Sequence, residues 1–95
     1  MKAEEYLSQN QESIREEYLA ISSQGANAII TVKDNGGNYV HKISTVEKFT
    51  EAIPDNEFFK KMRDGITNAV LNKVVPIVIF EEKTARLISL PDYFK

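Results

Sequence analysis

From Val74 to Leu90 the chain reads Val74-Val75-Pro76-Ile77-Val78-Ile79-Phe80, stops at Glu81-Glu82-Lys83-Thr84, and resumes as Ala85-Arg86-Leu87-Ile88-Ser89-Leu90. Ile77 to Phe80 are β-branched or aromatic, which suits a pleated, buried surface. The pattern predicts two strands joined by a turn, a hairpin over 75–90 that marks the middle of a sheet. A second hairpin is predicted over 27–43. Asn27 to Lys33 has strand composition, Asp34-Asn35-Gly36-Gly37-Asn38 is a turn signal, and Tyr39 to Ile43 returns. Tyr39, His41 and Ile43 share one face of that returning strand, and Val40 and Lys42 the other.

Three segments carry helical spacing instead. Over 2–23, Leu7, Ile14, Tyr18 and Ile21 recur at seven, four and three residues, with Ala3 on the same side. Asn10 and Gln11 interrupt that stripe, and Ser13 with Glu16 forms a capping-box signature, which leaves room for a break near residue 12. Gly25 terminates the helix. Over 45–53, Val46, Phe49 and Ile53 share a face behind the Ser44-x-x-Glu47 signature, and Pro54 stops the helix. Over 56–73, Phe58/Phe59, Met62, Ile66, Ala69 and Val70 form the stripe, with Asp55 as its cap. Gly65 inside it costs about 1 kcal/mol against alanine. Pro76, which cannot donate to a ladder, belongs at a strand start or an edge. In the last five residues, Tyr93 and Phe94 are expected to tuck against the body.

Helices and hairpins alternate as blocks rather than as βαβ units. The predicted fold is therefore α+β: an antiparallel sheet of about four strands, with helices 2–23, 45–53 and 56–73 packed on one face. Over its first three-quarters, the order of elements is similar to that of roadblock-type domains, which also run helix, hairpin, long helix, strands. Those domains continue with a further strand and helix, and no sequence motif accompanies the likeness. With 95 residues, 42% hydrophobic and 27% charged, the chain has the composition of one globular domain.

Composition narrows the chemistry. There is no cysteine, so disulfides, zinc–thiolate sites and thiol catalysis are excluded. The start, Met1-Lys2-Ala3-Glu4-Glu5, has no apolar leader, and no run approaches a membrane span; a cytoplasmic location without membrane contact is expected. The net charge of −2 is uneven. Residues 1–25 carry Lys2 and Arg15 against five glutamates, whereas residues 26–95 carry ten basic and nine acidic side chains. Lys60, Lys61 and Arg63, beside Glu57 and Asp64, read as a solvated helix face rather than a nucleic-acid surface.

Pro54-Asp55 with Glu81-Glu82-Lys83 resembles the letters of PD-(D/E)xK nucleases. That resemblance implies two carboxylates on a divalent metal and a lysine at the scissile phosphate. A whole helix separates the halves here, and 81–84 reads as a turn. His41, the only histidine, lacks a partner in the sequence and reads as an ordinary sheet residue. Asn35-Gly36-Gly37-Asn38 lacks phosphate-loop spacing. No cofactor or metal is implied. The expected function is a small non-enzymatic protein-binding module of adaptor, inhibitor, immunity or antitoxin-like kind. Glu5, Glu12, Glu16 and Tyr18 of the acidic first helix are expected to meet a basic partner. A homodimer through that helix or through sheet edges is a further expectation. The alternatives are a small-ligand or nucleotide-binding domain, and then the metal-dependent nuclease.

Overall fold

A computed structural model describes residues 2–90, apart from the side chain of Leu90. The expectation for Tyr93 and Phe94 lies outside these residues. The elements are α1 (Ala3–Gln9), α2 (Gln11–Ser22), β1 (Ala28–Asn35), β2 (Asn38–Thr45), α3 (Val46–Ala52), α4 (Glu57–Leu71), β3 (Val75–Phe80) and β4 (Ala85–Leu90). The four strands form one sheet in the order β2-β1-β3-β4. The β1–β2 and β3–β4 pairs are antiparallel, but β1 and β3 run parallel, with Ile30 opposite Ile77.

The α+β class stands, while the wholly antiparallel sheet is corrected to a mixed one. Each hairpin is local, yet β2, α3 and α4 together act as the long crossover that parallel neighbours need. Helices on a single face are corrected too. One buried cluster joins Ala3, Leu7 and Ile14 to Ile30, Val32, Ile77 and Ile79. The other joins Phe49, Met62 and Ile66 to Ile29 and Val78. The helices α1 and α2 therefore cover one face and α3 and α4 the other. The two central strands are buried on both sides, and this is why Ile77 to Ile79 form an unbroken apolar run.

Local chemistry sets the boundaries. The first helix is two helices meeting at Asn10, whose φ of −112° and ψ of 18° leave the helical region and whose side-chain amide donates to the Tyr6 carbonyl at 2.9 Å. The break falls there rather than at a Ser13 cap. Thr45, not Ser44, caps α3 by accepting from the Lys48 N–H at 3.2 Å. Asn56, not Asp55, caps α4 through the Phe59 N–H at 3.0 Å. The β1–β2 turn places Gly36 and Gly37 at φ of 64° and 91°, the left-handed pair that a two-residue hairpin demands. Pro76 lies one residue before β3 begins to pair with β1 at Ile77, so it sits in a central strand without breaking that ladder.

Two positions run against local preference. Lys73 follows α4 at φ 57°. Its N–H bonds the Val70 carbonyl, and the Val74 N–H bonds that of Ala69, a pattern that normally uses glycine. At Gly65 an added Cβ would come within 2.7 Å of a Leu87 methyl, so the glycine marks the close approach of α4 to β4.

Candidate functional site

The returning strand β2 puts Tyr39, His41 and Ile43 on the α1/α2 face, at the rim of that core. There the His41 ring bridges two helices. Its Nδ1 lies 2.7 Å from the Tyr6 hydroxyl of α1, and its Nε2 lies 2.6 Å from Glu17 Oε2 of α2. A carboxylate offers only acceptors, so Nε2 carries the hydrogen, and in the neutral ring Nδ1 accepts from the Tyr6 O–H. The side chain of His41 is 14% exposed, against 53% for Glu17. The Tyr6 ring also meets those of Tyr39 and His41, with centroids 6.0 and 5.8 Å away.

A second chain of contacts continues from Tyr39. Its hydroxyl donates to Glu81 Oε2 at 3.1 Å, and Glu81 Oε1 accepts from Arg86 Nε at 3.3 Å. Arg86 closes the chain on Glu4 of α1. The two outer strands are thus each tied to the first helical layer by a glutamate: β2 through His41–Glu17 and β4 through Arg86–Glu4. Glu17 lies three residues from Ile14, on the flank of the apolar stripe, and Tyr6 lies three from Ala3. That spacing was the available sign that both would reach the sheet.

The carboxylate–imidazole–phenol order is also that of a base-activated nucleophile, here with the phenols held in their protonated form. Burial, and then the nearby Glu17 charge, push the Tyr6 phenol above its ordinary value. Burial first, then the Glu81 hydrogen bond, does the same at Tyr39. Neither phenol is therefore activated by a lowered pKa; the one activating feature at Tyr6 is the His41 nitrogen that accepts its hydrogen bond. The hydrogen bond with Glu4 leads the interactions that raise Arg86, whose charge is permanent in any case.

The other sequence-singled residues are scattered. Asp55 is exposed in the α3–α4 connection, Glu81 is engaged with Tyr39 and Arg86, and Lys83 is exposed in the β3–β4 turn. Among the described residues no group of three His, Asp or Glu is placed to hold a metal. Lys60 and Lys61 are exposed, but Arg63 is not a solvated charge. It donates to the carbonyls of Thr50, Ile53 and Pro54 at 3.0 to 3.2 Å and closes the C-terminal end of α3. Surface hollows of about 540 and 500 Å³ lie at the β2 edge and beyond the C-terminal ends of α2 and α4.

Of the residues expected to meet a partner, Glu5, Glu12 and Glu16 are exposed, whereas Tyr18 is half-buried and packs on the α1/α2 core. Burial raises its phenol as well. Glu12, Glu16 and Leu19 fall at four and three residues along α2, one outward stripe. Leu19 is 46% exposed there, with Arg15 exposed beside it. Among the described residues no helix is long and apolar enough to cross a membrane. Compared with known proteins, the chain matches no family model, no curated protein and no solved structure.

Proposed function

We propose that this protein is a non-enzymatic protein-binding module, and that the outer face of α2 docks a basic partner. The observation that carries this reading is the Glu12–Glu16–Leu19 stripe. It sets a half-exposed leucine in line with two exposed glutamates, on a helix whose other side is committed to the core. Glu5 adds a further exposed carboxylate on α1. An apolar anchor in line with two carboxylates, with Arg15 on its other flank, suits a partner that presents lysine or arginine on one side of an apolar contact. The charges would speed encounter and set orientation, and the leucine would slow release. Tyr18 acts in this reading from beneath, by seating α2 on the sheet.

The test is titration with an amphipathic peptide bearing lysines and leucines on one helical face, beside a scrambled peptide of equal charge. The ordered peptide should bind more tightly, and the Glu12→Lys, Glu16→Lys double variant should lose that binding. Leu19→Ser should remove the preference for the ordered sequence. Equal binding of both peptides, or indifference to the charge reversal, would refute the reading.

A further inference from the structure

The outer edge of β2 is long, regular and unpaired among the described residues. Its register with β1 is unbroken from Ala28↔Thr45 to Asn35↔Asn38, with no bulge and no proline. Hydrogen-bonded and non-bonded pairs alternate along an antiparallel ladder. The Val46 N–H bonds the Asn27 carbonyl at 2.8 Å, which brackets Ala28↔Thr45 as a non-bonded pair. Counting on, Ile30↔Ile43, Val32↔His41 and Asp34↔Tyr39 are non-bonded as well. The N–H and C=O groups of Tyr39, His41 and Ile43 therefore point away from β1, toward solvent. Regular edges of this kind are ready to pair with another strand, and proteins normally blunt them.

On the α3 side the surroundings of this edge are basic, while Glu17 sits at His41 on the α2 side. The hollow of about 540 Å³ at the β2 edge has Ile21 and Ile43 on its α2 side and Phe49 and Ala52 on its α3 side. The charged residues lining it are Lys42 and Lys48, in a chain whose net charge is −2. On the α3 side of the sheet, Lys33 pairs with Val40, which is 46% exposed, so the basic and apolar character continues along the hairpin.

We infer that β2 accepts an extended peptide segment by strand addition, and that the segment alternates acidic and apolar residues. Main-chain bonds to Tyr39, His41 and Ile43 supply affinity without regard to sequence, and the flanking side chains supply the choice. Successive side chains of an added strand fall on opposite faces. Those on the α3 side meet Lys42 and Lys48, so they carry carboxylates. Those on the α2 side meet Ile21 and Ile43, so they are apolar. This site is separate from the outer face of α2 and takes a partner of opposite charge, so either proposal can fail without the other.

The experiment uses short end-blocked peptides, one alternating valine with glutamate and one alternating valine with lysine, with amide exchange followed by NMR. The glutamate peptide should bind, and the lysine peptide should not. Binding should slow exchange at the amides of His41 and Ile43, while those of Lys42 and Ser44 are protected beforehand. Lys42 is exposed, so Lys42→Glu should keep the fold; it should weaken the glutamate peptide about tenfold and improve the lysine peptide. Four results would overturn the inference. They are no binding, equal binding of both peptides, binding that leaves His41 and Ile43 exchange unchanged, or a dimer that protects those amides without peptide. In the last case a second copy of the chain owns the edge.

Discussion

The two helical layers hold the same sheet by different means. On the α3/α4 face the contact is apolar, with Phe49, Met62 and Ile66 over Ile29 and Val78, and the one prominent charge, Arg63, closes its own layer's connection. On the α1/α2 face an equally buried centre is rimmed by polar contacts that reach both outer strands, Glu17–His41 on one and Glu4–Arg86 on the other. Burial without direction is enough to seat α3 and α4. The first layer meets the sheet with a helix broken at Asn10, and its polar pins fix where each half lies. With its inner side in the core and Glu17 held by His41, α2 presents Glu12, Glu16 and Leu19 outward.

Truncating the centre of either layer should have the largest effect and should not distinguish them. Ile66→Ala and Ile14→Ala, both fully buried, should each lose about 2–5 kcal/mol in urea unfolding. A much smaller loss at Ile14 would mean that the pins, not the core, hold α1 and α2. Removing the connection's clasp comes next: Arg63→Ala leaves three carbonyls without their donor and should cost about 2 kcal/mol. Tyr6→Phe removes the phenol from His41 and should cost about 1 kcal/mol, seen as a lower thermal midpoint. A gain of similar size, about 1 kcal/mol, is expected from Lys73→Gly, which relieves a left-handed backbone. The smallest effect should be Glu4→Gln, below about 1 kcal/mol and fading with salt, because Arg86 and Glu4 are both well exposed.

Alkaline pH separates the layers more sharply. Tyr6, Tyr18 and Tyr39 all belong to the α1/α2 side, and the fold raises each phenol above the ordinary 10.0. A raised phenol binds its proton more tightly when folded than when unfolded. The stability it contributes is fully present below pH 10 and is lost as pH rises through the folded values. Stability should therefore fall above pH 10, and Tyr6→Phe should flatten that fall. An unchanged slope in the variant would remove Tyr6 from the account.

Elements with local causes were readable in the sequence. The Gly36-Gly37 turn, the stop at Pro54 and the stripe Met62–Ile66–Ala69 each follow from neighbouring residues, and each is found. The parallel pairing of β1 with β3 was not readable, because each strand's hairpin partner is local while the crossover between them spans β2, α3 and α4. The buried runs Ala28 to Ile30 and Ile77 to Ile79 did hold the clue that both faces are covered. On the proposed surface, the exposure of Glu5, Glu12 and Glu16 is legible in the sequence. The exposure of Leu19 is not, because a single outward leucine breaks no periodicity. Tyr18 is half-buried, as its spacing of four from Ile14 implies. His41 read as partnerless because Tyr6 and Glu17 lie 35 and 24 residues away along the chain.

The most direct test of the proposed docking surface is chemical-shift mapping of the free protein against the lysine–leucine helical peptide. The largest shifts are expected at Glu12, Glu16 and Leu19, with His41 and the α3/α4 layer unmoved. Shifts spread over both layers, or centred away from α2, would contradict it.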